Sequence, residues 1–195
     1  MTRLLMTGLT LKRYNIAMKE TWKDFVKQSE LASNGHPSSG TPAGQVAKPA
    51  PVGKHGGRHN MFNMRNYFQK WQGEDSKGLG RGDMLNFKNN FYGFRAGSRN
   101  ARNILLKLKG QGKVPSIRNF TPIFSPRTEN DTDKHMSNIS KLSRIGLDDA
   151  INPDDDTQFF KFLTGLAIAE SGMKSLKGVN QKTIMDAIKS GRKSL

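Results

Sequence analysis

Residues 33–60 divide this chain of 195 residues with a stretch that contains almost no large apolar side chains. Glycine, proline, serine and alanine dominate it, and its charged groups are three basic residues with no acidic residue. Burial of such a composition does not offset the conformational entropy that ordering removes. The stretch therefore predicts a long extended or disordered basic arm, and the core must come from the residues on either side of it.

Apolar side chains on both sides of the arm recur at steps of three and four, the spacing of an amphipathic helix. Residues 1–32 predict one such helix, and residues 61–118 predict two short helices followed by a basic helix that ends at Gly110. Asp83 is the predicted N-cap of the second short helix. The apolar series are Tyr14, Met18, Trp22, Phe25 and Val26, then Met61, Met64, Phe68 and Trp71, then Met84, Phe87, Phe91 and Phe94.

The remaining residues predict a connector and three further helices. Residues 119–151 hold a connector and a short helix that ends near Gly146. Three prolines between residues 111 and 134 predict extended chain there, with short β pairing at 119–124 as an alternative. In the short helix Met136, Ile139 and Leu142 share one face.

Residues 152–195 predict a C-terminal helical hairpin. Its first helix begins at Asn152 and Pro153 and runs to about Leu176, because proline and the following aspartates suit a helix start. Its second helix begins at Asn180 and ends at Gly191. The predicted fold is mostly α: short amphipathic helices, the long basic arm, and this hairpin.

The charge of the chain predicts a polyanionic partner. Lysine and arginine number 32 against 16 acidic residues, which leaves a net charge of +16. A magnitude of about 2–8 suffices for solubility, so a merely soluble basic surface explains this value less well than an anion that covers it. Nucleic acid and anionic membrane surfaces are the usual anions. The excess lies mainly in residues 61–118, with twelve basic and three acidic residues.

Residues 61–124 carry ten of the sixteen aromatic residues beside this basic stretch, and the mixture is typical of proteins that bind RNA or single-stranded DNA. We expect its cations to neutralise phosphates without reading base sequence. Aromatics on the helical stripes are better explained as core, so we expect stacking from the tyrosines beside them. The predicted nucleic-acid-binding residues are Arg81, Arg95, Arg99, Arg102, Lys107, Lys109, Lys113, Tyr67 and Tyr92.

The sequence carries no complete catalytic or cofactor motif. There is no cysteine, which excludes disulfides, thiolate catalysis and cysteine-ligated zinc. His55 and His59 have the four-residue spacing of a helical metal site, but two glycines separate them and no third ligand is near. We therefore predict no metal and no cofactor. The glycine-rich stretches at 78–83 and 109–113 lack the spacing of a phosphate-binding loop and predict turns.

Residues 168–172, Ile-Ala-Glu-Ser-Gly, resemble the catalytic glutamate region of lysozyme-like lytic transglycosylases. The resemblance implies that Glu170 acts as a general acid. It covers these residues alone, and the serine, glycine and glutamine motifs that follow in that family are missing here. A glutamate beside the glycine break of a helix is the ordinary interpretation, so we predict that the protein is not an enzyme.

These observations predict a non-catalytic structural component of a large nucleoprotein assembly, such as a virion interior or a ribosome-like particle. Its partners would be nucleic acid, RNA or DNA, and other proteins of the assembly. No integral membrane segment is expected, since the longest apolar run is Leu166–Ala169. An intracellular particle or virion is the expected location, although residues 1–19 hold no acidic residue and are compatible with mitochondrial import.

Two alternatives stay open. One is a protein–protein assembly module of a particle, for example a minor virion protein, whose apolar helix stripes dock on neighbouring copies. The other is a membrane-active or cell-wall-active ejection factor that uses the basic N-terminal helix and Glu170.

Overall fold

The computed structural model describes residues 59–66, 70–75, 84–126, 131–171, 176 and 179–193. Within these ranges the ordered elements are five α-helices, and β structure is limited to isolated bridges. The mostly α prediction is confirmed for this part of the chain. The predicted helix of residues 1–32 and the arm up to residue 58 lie outside the described residues. The helices are α1 Asn90–Gly110, α2 Ile117–Phe124, α3 Thr132–Ser143, α4 Asp156–Ser171 and α5 Gln181–Arg192.

The longest helix, α1, has side-chain and backbone caps at its two ends. Asn89 has extended backbone, and its side chain accepts a hydrogen bond from the Tyr92 amide at 3.2 Å, as an N-cap residue does. The Gln111 amide donates to the carbonyls of the last turn. One helix takes the place of the predicted basic helix and of part of the predicted second short helix, and it ends at Gly110 as predicted. Its N-cap is Asn89, whereas the predicted cap Asp83 lies outside the described residues. Its buried apolar side chains include Phe94, Ala101, Leu105 and Leu108.

Helix α5 packs mainly on α1. The two backbones approach closely at Gly191, where an added Cβ would lie 2.3 Å from the Ser98 hydroxyl oxygen. One residue earlier, the Ser190 hydroxyl accepts a hydrogen bond from Arg95 Nε at 3.0 Å. The predicted start of this helix is confirmed, since the Asn180 side chain accepts from the Thr183 amide at 2.7 Å.

Helix α4 packs mainly on α3, with Gly165 against the backbone of Ser143. The two helices of the C-terminal hairpin follow one another and touch, but each has its larger interface with an earlier helix. The reason lies in α4, which is apolar on most of its circumference. A helix of that kind must be covered on several sides, and one neighbour does not suffice. Its large apolar side chains that are fully buried are Phe159, Phe160, Phe162, Leu163 and Leu166.

The predicted helix over residues 61–71 is wrong in its described part. Residues 59–66 and 70–75 form turns, and two antiparallel bridges join Arg65 to Met84 and Glu74 to Phe87. The buried amide of Asn60 holds this arrangement: it donates to the Met64 and Leu85 carbonyls and accepts from the Met64 amide, all within 3.0 Å. Apolar spacing alone did not distinguish this backbone pairing from a helix.

The predicted extended connector also contains a helix, α2, although Pro122 lies within it. The Ser116 side chain caps the start of α2, and the ring of Phe120 meets Phe162 of α4 edge-on at 5.0 Å. Proline removes one helical hydrogen bond, but it stands near the end of this short helix, where burial of the apolar face outweighs that loss.

Helix α3 buries Met136 and Ile139 as predicted, while Leu142 is half-buried. It ends at Ser143, since Arg144 has the left-handed backbone (φ 57°) that closes many helices. Helix α4 begins four residues after the predicted position. Residues 152–155 form a turn, and the Asp155 carboxylate accepts from the first free amides of the helix at 2.9 Å.

Candidate nucleic-acid interface

The predicted phosphate-binding residues are mostly on α1 or just after it, and the structure places them in three different settings. Arg81 and Tyr67 lie outside the described residues. Among the other cations, one arginine is buried between helices, one is paired with an aspartate, and four are exposed or half-exposed. Tyr92 is half-buried.

Arg95 is buried, with 5% of its surface exposed. Its Nε donates to Ser190 of α5, and its pKa is lowered by burial and, to a smaller degree, by the charge of Arg99. A guanidinium in this position joins α1 to α5. Phosphate contact by Arg95 would require the two helices to separate.

Arg102 is paired with an acidic residue of the chain itself. Its Nη2 lies 3.1 Å from Asp154 Oδ1, and its side chain is 25% exposed. Two other arginines have similar partners, Arg118 with Asp148 and Arg192 with Asp156. The three aspartates lie in residues 148–156, which follow α3 and include the first residue of α4. This acidic segment therefore compensates arginines of α1, α2 and α5.

Four predicted cations remain at exposed or half-exposed positions of α1 and of the turn that follows. Lys107, Lys109 and Lys113 are exposed and Arg99 is half-exposed. None of the four forms an ion pair with another residue in the described ranges. We call this group, Arg99, Lys107, Lys109 and Lys113, the open basic face. Arg99 and Lys109 are about 15 Å apart along the helix axis at 1.5 Å per residue, a length that matches about four phosphates of one strand.

The distribution of acidic residues along the sequence explains why this face is open. Residues 84–128 contain nine basic residues and no aspartate or glutamate. The residues that follow, 129–195, hold ten basic and ten acidic residues. Local acidic partners are therefore missing from α1, and the ion pair that the described residues give to this helix joins Arg102 to Asp154 of the 148–156 segment.

The position of two of these lysines in the helix gives a second explanation for their presence, one that requires no partner. Lys107 and Lys109 lie in the last turn of α1, where positive side chains complement the negative end of the helix dipole. This effect is local and stabilises the helix by about 0.3–1 kcal/mol for each charge. It does not account for Arg99 or for Lys113, which lie outside that turn.

Tyr92 was predicted to stack on bases. Its ring packs on the backbone of Gly73, where an added Cβ would lie 2.1 Å from the ring, and it meets the ring of Phe91 at 5.3 Å. The tyrosine is half-buried. Its contacts connect the 71–75 turn to α1.

The other residues singled out from the sequence have separate positions. His59 Nδ1 lies 2.7 Å from Asn90 Oδ1 near the start of α1, and His55 lies outside the described residues. Glu170 lies in the last turn of α4, beside His135 and Asn63. Over the described ranges, no helix has the length and apolar character that a membrane span requires.

Comparison of the chain with protein-family models and with curated protein sequences finds no match.

Proposed function

We propose that this protein is a non-catalytic structural component of a nucleoprotein assembly and that its open basic face contacts the phosphates of nucleic acid. The observation that carries the proposal is the charge arrangement of α1. Arg99, Lys107, Lys109 and Lys113 lie at exposed or half-exposed positions within fifteen residues of a segment without acidic residues, and none of them forms an ion pair in the described part of the chain.

The chemistry of this face favours contact with the phosphate backbone over recognition of bases. Three of its four residues are lysines, which act on phosphate as flexible point charges. Such contacts release counterions and give binding that depends strongly on salt but little on sequence. Arg95 and Arg102 are not part of the proposed interface, because helix packing and Asp154 occupy them.

The two alternatives have less support. The described members of the apolar stripes, which would dock on neighbouring copies in an assembly module, are largely buried within the chain itself, for example Met61, Met84 and Phe94. The ejection-factor alternative uses Glu170, whose side chain is 11% exposed and held by His135 and Asn63. A glutamate with these contacts fits an internal role.

The proposal is tested by the salt dependence of binding to single-stranded DNA and RNA of mixed sequence, measured by fluorescence anisotropy. The variant carries Lys107→Gln, Lys109→Gln and Lys113→Gln. Each lost phosphate contact lowers the slope of log affinity against log salt by about 0.7 for a single strand, so the expected decrease is about 2.

The matched control carries Lys134→Gln, Lys141→Gln and Lys189→Gln. It removes the same number of charges from exposed positions of α3 and α5, and its slope is expected to remain close to that of the wild type. An equal decrease in both variants would mean that net charge alone attracts the nucleic acid. Either that result or the absence of binding by the wild type would contradict the proposed interface.

A further inference from the structure

Two large apolar side chains are exposed in the described part of the chain, and both belong to α2 or to the turn before it. Val114, in that turn, is 50% exposed, and Ile123, in the last turn of α2, is 47% exposed. Pro122, next to Ile123, is exposed as well. Single exposed aliphatic residues are common at protein surfaces, but aliphatic residues that lie together there often mark a contact surface.

Hydrogen bonds hold the Val114 turn against α2. The Asn119 side chain donates to the Val114 carbonyl at 2.9 Å, and the Ser116 amide donates to the same oxygen at 2.9 Å. Asn119 and Ile123 are four residues apart, so they lie on the same face of α2, one turn apart. Val114 and Ile123 therefore belong to one corner of the fold.

The same corner is positively charged. Lys113 directly precedes Val114, and Lys109 lies in the last turn of α1. Both lysines are exposed, and neither forms an ion pair with another residue in the described ranges. We call this group, Lys109, Lys113, Val114 and Ile123, the α1–α2 corner. It combines aliphatic side chains with uncompensated cations, in a segment that contains no acidic residue.

The chemistry of the corner distinguishes between the surfaces that could cover it. Nucleic-acid phosphates would satisfy the lysines, but aliphatic side chains do not stack on bases as aromatic rings do. Contact with the same corner of a second copy would bring lysines against lysines. A stable protein–protein interface buries about 1,000 Å² or more around aromatic or arginine anchors, and two half-exposed aliphatic side chains provide much less.

We propose that the α1–α2 corner binds the surface of an anionic lipid bilayer. Lys109 and Lys113 contact acidic headgroups, which raises the affinity on the order of fivefold for each lysine. Val114 and Ile123 enter the boundary between headgroups and acyl chains, which accepts small apolar groups without a preformed pocket. The inference goes beyond the proposed function, because the two aliphatic residues have no part in the open basic face.

The experiment measures cosedimentation of the full chain with vesicles of phosphatidylcholine alone and of about two parts phosphatidylcholine to one part phosphatidylserine. We expect binding to the phosphatidylserine vesicles only, with an affinity that falls as salt is added. The double variant Val114→Ser, Ile123→Ser is expected to bind these vesicles about tenfold more weakly or worse, since insertion of two aliphatic side chains is lost. Its salt slope on single-stranded DNA is expected to equal that of the wild type.

The matched control, Val114→Leu with Ile123→Leu, keeps both positions apolar and is expected to keep vesicle binding. The chain has no cysteine, so Ile123→Cys also gives a single attachment point for a polarity-sensitive fluorophore. Its emission is expected to shift to the blue on phosphatidylserine vesicles, whereas the same label at Ser137→Cys, an exposed position of α3, stays in water.

Three results would overturn the inference: equal shifts at the two labelled positions, unchanged vesicle affinity in the serine variant, or no preference of the wild type for phosphatidylserine. The last result would leave a partner protein as the occupant of the corner. Binding of nucleic acid without binding of vesicles would overturn this inference alone and leave the proposed function intact.

Discussion

Arg95 and Arg118 show how differently one residue type is used in this protein. Arg118 lies at the surface of α2 and donates two hydrogen bonds to the Asp148 carboxylate, at 2.6 and 2.9 Å. Arg95 is buried and donates to a serine hydroxyl of another helix. The sequence predicted both residues only as members of a basic segment, because residue type and local spacing do not specify which distant side chain will be adjacent.

The Arg118–Asp148 pair gives a prediction about pH. The hydrogen bond from Arg118 lowers the pKa of Asp148, and the same bond raises the pKa of Arg118. A carboxyl group whose pKa is lowered by folding stabilises the protein above the unfolded-state pKa, and this contribution disappears as the pH falls through the folded-state pKa. Both side chains are more than half exposed, so solvent screening keeps the contribution small.

NMR titration of the side-chain carboxyl carbons measures the effect directly. In the wild type, Asp148 is expected to titrate at lower pH than an ordinary surface aspartate, and in Arg118→Gln its midpoint rises to the ordinary range. Lys141→Gln, a change of equal charge on α3, is the control and leaves Asp148 where it was. A midpoint that does not move in Arg118→Gln would show that the ion pair is absent in solution.

At the scale of elements, two glycines of α1 place the first described segment against that helix. Gly97 faces the ring of Phe62, and an added Cβ would lie 2.1 Å from that ring. Gly93 faces the carbonyl oxygen of His59 in the same way, at 1.9 Å. Both close contacts require a residue without a side chain. Gly93 and Gly97 therefore allow residues 59–66 to pack directly on the backbone of α1.

We expect Gly97→Ala to destabilise the protein by about 1–3 kcal/mol, the usual cost of overpacking, despite the better helix propensity of alanine. Gly110→Ala is the matched control in the same helix, because nothing lies within 4 Å of its added Cβ. That change is expected to be neutral or to stabilise by up to about 1 kcal/mol. Urea unfolding of both variants measures the difference, and equal stabilities would contradict the close packing of Phe62 on Gly97.

Elements with a complete local signal were predictable from the sequence. Asn180 begins α5 and Gly110 ends α1, because caps and apolar spacing agree there. Where the local sequence signals conflicted, contacts with distant residues determined the secondary structure. Packing of Phe120 on α4 stabilises a helix in a segment that contains Pro122. Backbone pairing with Met84 and Phe87 favours turns in residues 59–75, although their apolar residues have helical spacing.

The candidate sites were predictable to different degrees. The location of the basic surface on α1 follows from the sequence, since the arginines and lysines that form it were expected from their spacing. The sequence does not predict which of these cations lack a partner in the fold. Asp154 and Ser190 are 52 and 95 residues away from the arginines that they contact. Glu170 was singled out from the sequence, but its contacts with Asn63 and His135 could not be predicted, because the three residues come from separate segments.

Across the whole molecule, basic and acidic residues are unevenly distributed along the chain, and the fold brings some of them into contact. Residues 84–128 are basic without acidic residues, and residues 129–195 balance their own charges. The contacts of residues 148–156 with Arg102 and Arg118 join the two parts. These contacts leave the net charge of +16 unchanged, and repulsion among the uncompensated cations opposes the compact state.

A polyanion that covers the open basic face should therefore stabilise the fold. Heparin, which carries dense negative charge without bases, is a suitable probe. A ligand at one hundred times its Kd stabilises by about 2.7 kcal/mol, which corresponds to a rise in Tm of about 5–10 °C for a chain of this size. The measurement is Tm by calorimetry with and without heparin, at fixed ionic strength.

The variants designed for the open basic face distinguish heparin binding at that face from general attraction by the net positive charge. Without heparin, two effects oppose each other in the variant Lys107→Gln, Lys109→Gln, Lys113→Gln. Loss of positive charge relieves repulsion and raises the Tm, whereas loss of the interaction with the helix dipole lowers it, so the Tm is expected to stay near that of the wild type. With heparin it gains less than the wild type, whereas the control at Lys134, Lys141 and Lys189 gains about as much. If heparin stabilises all three proteins equally, the anion binds elsewhere, and the surplus charge of α1 has a different partner.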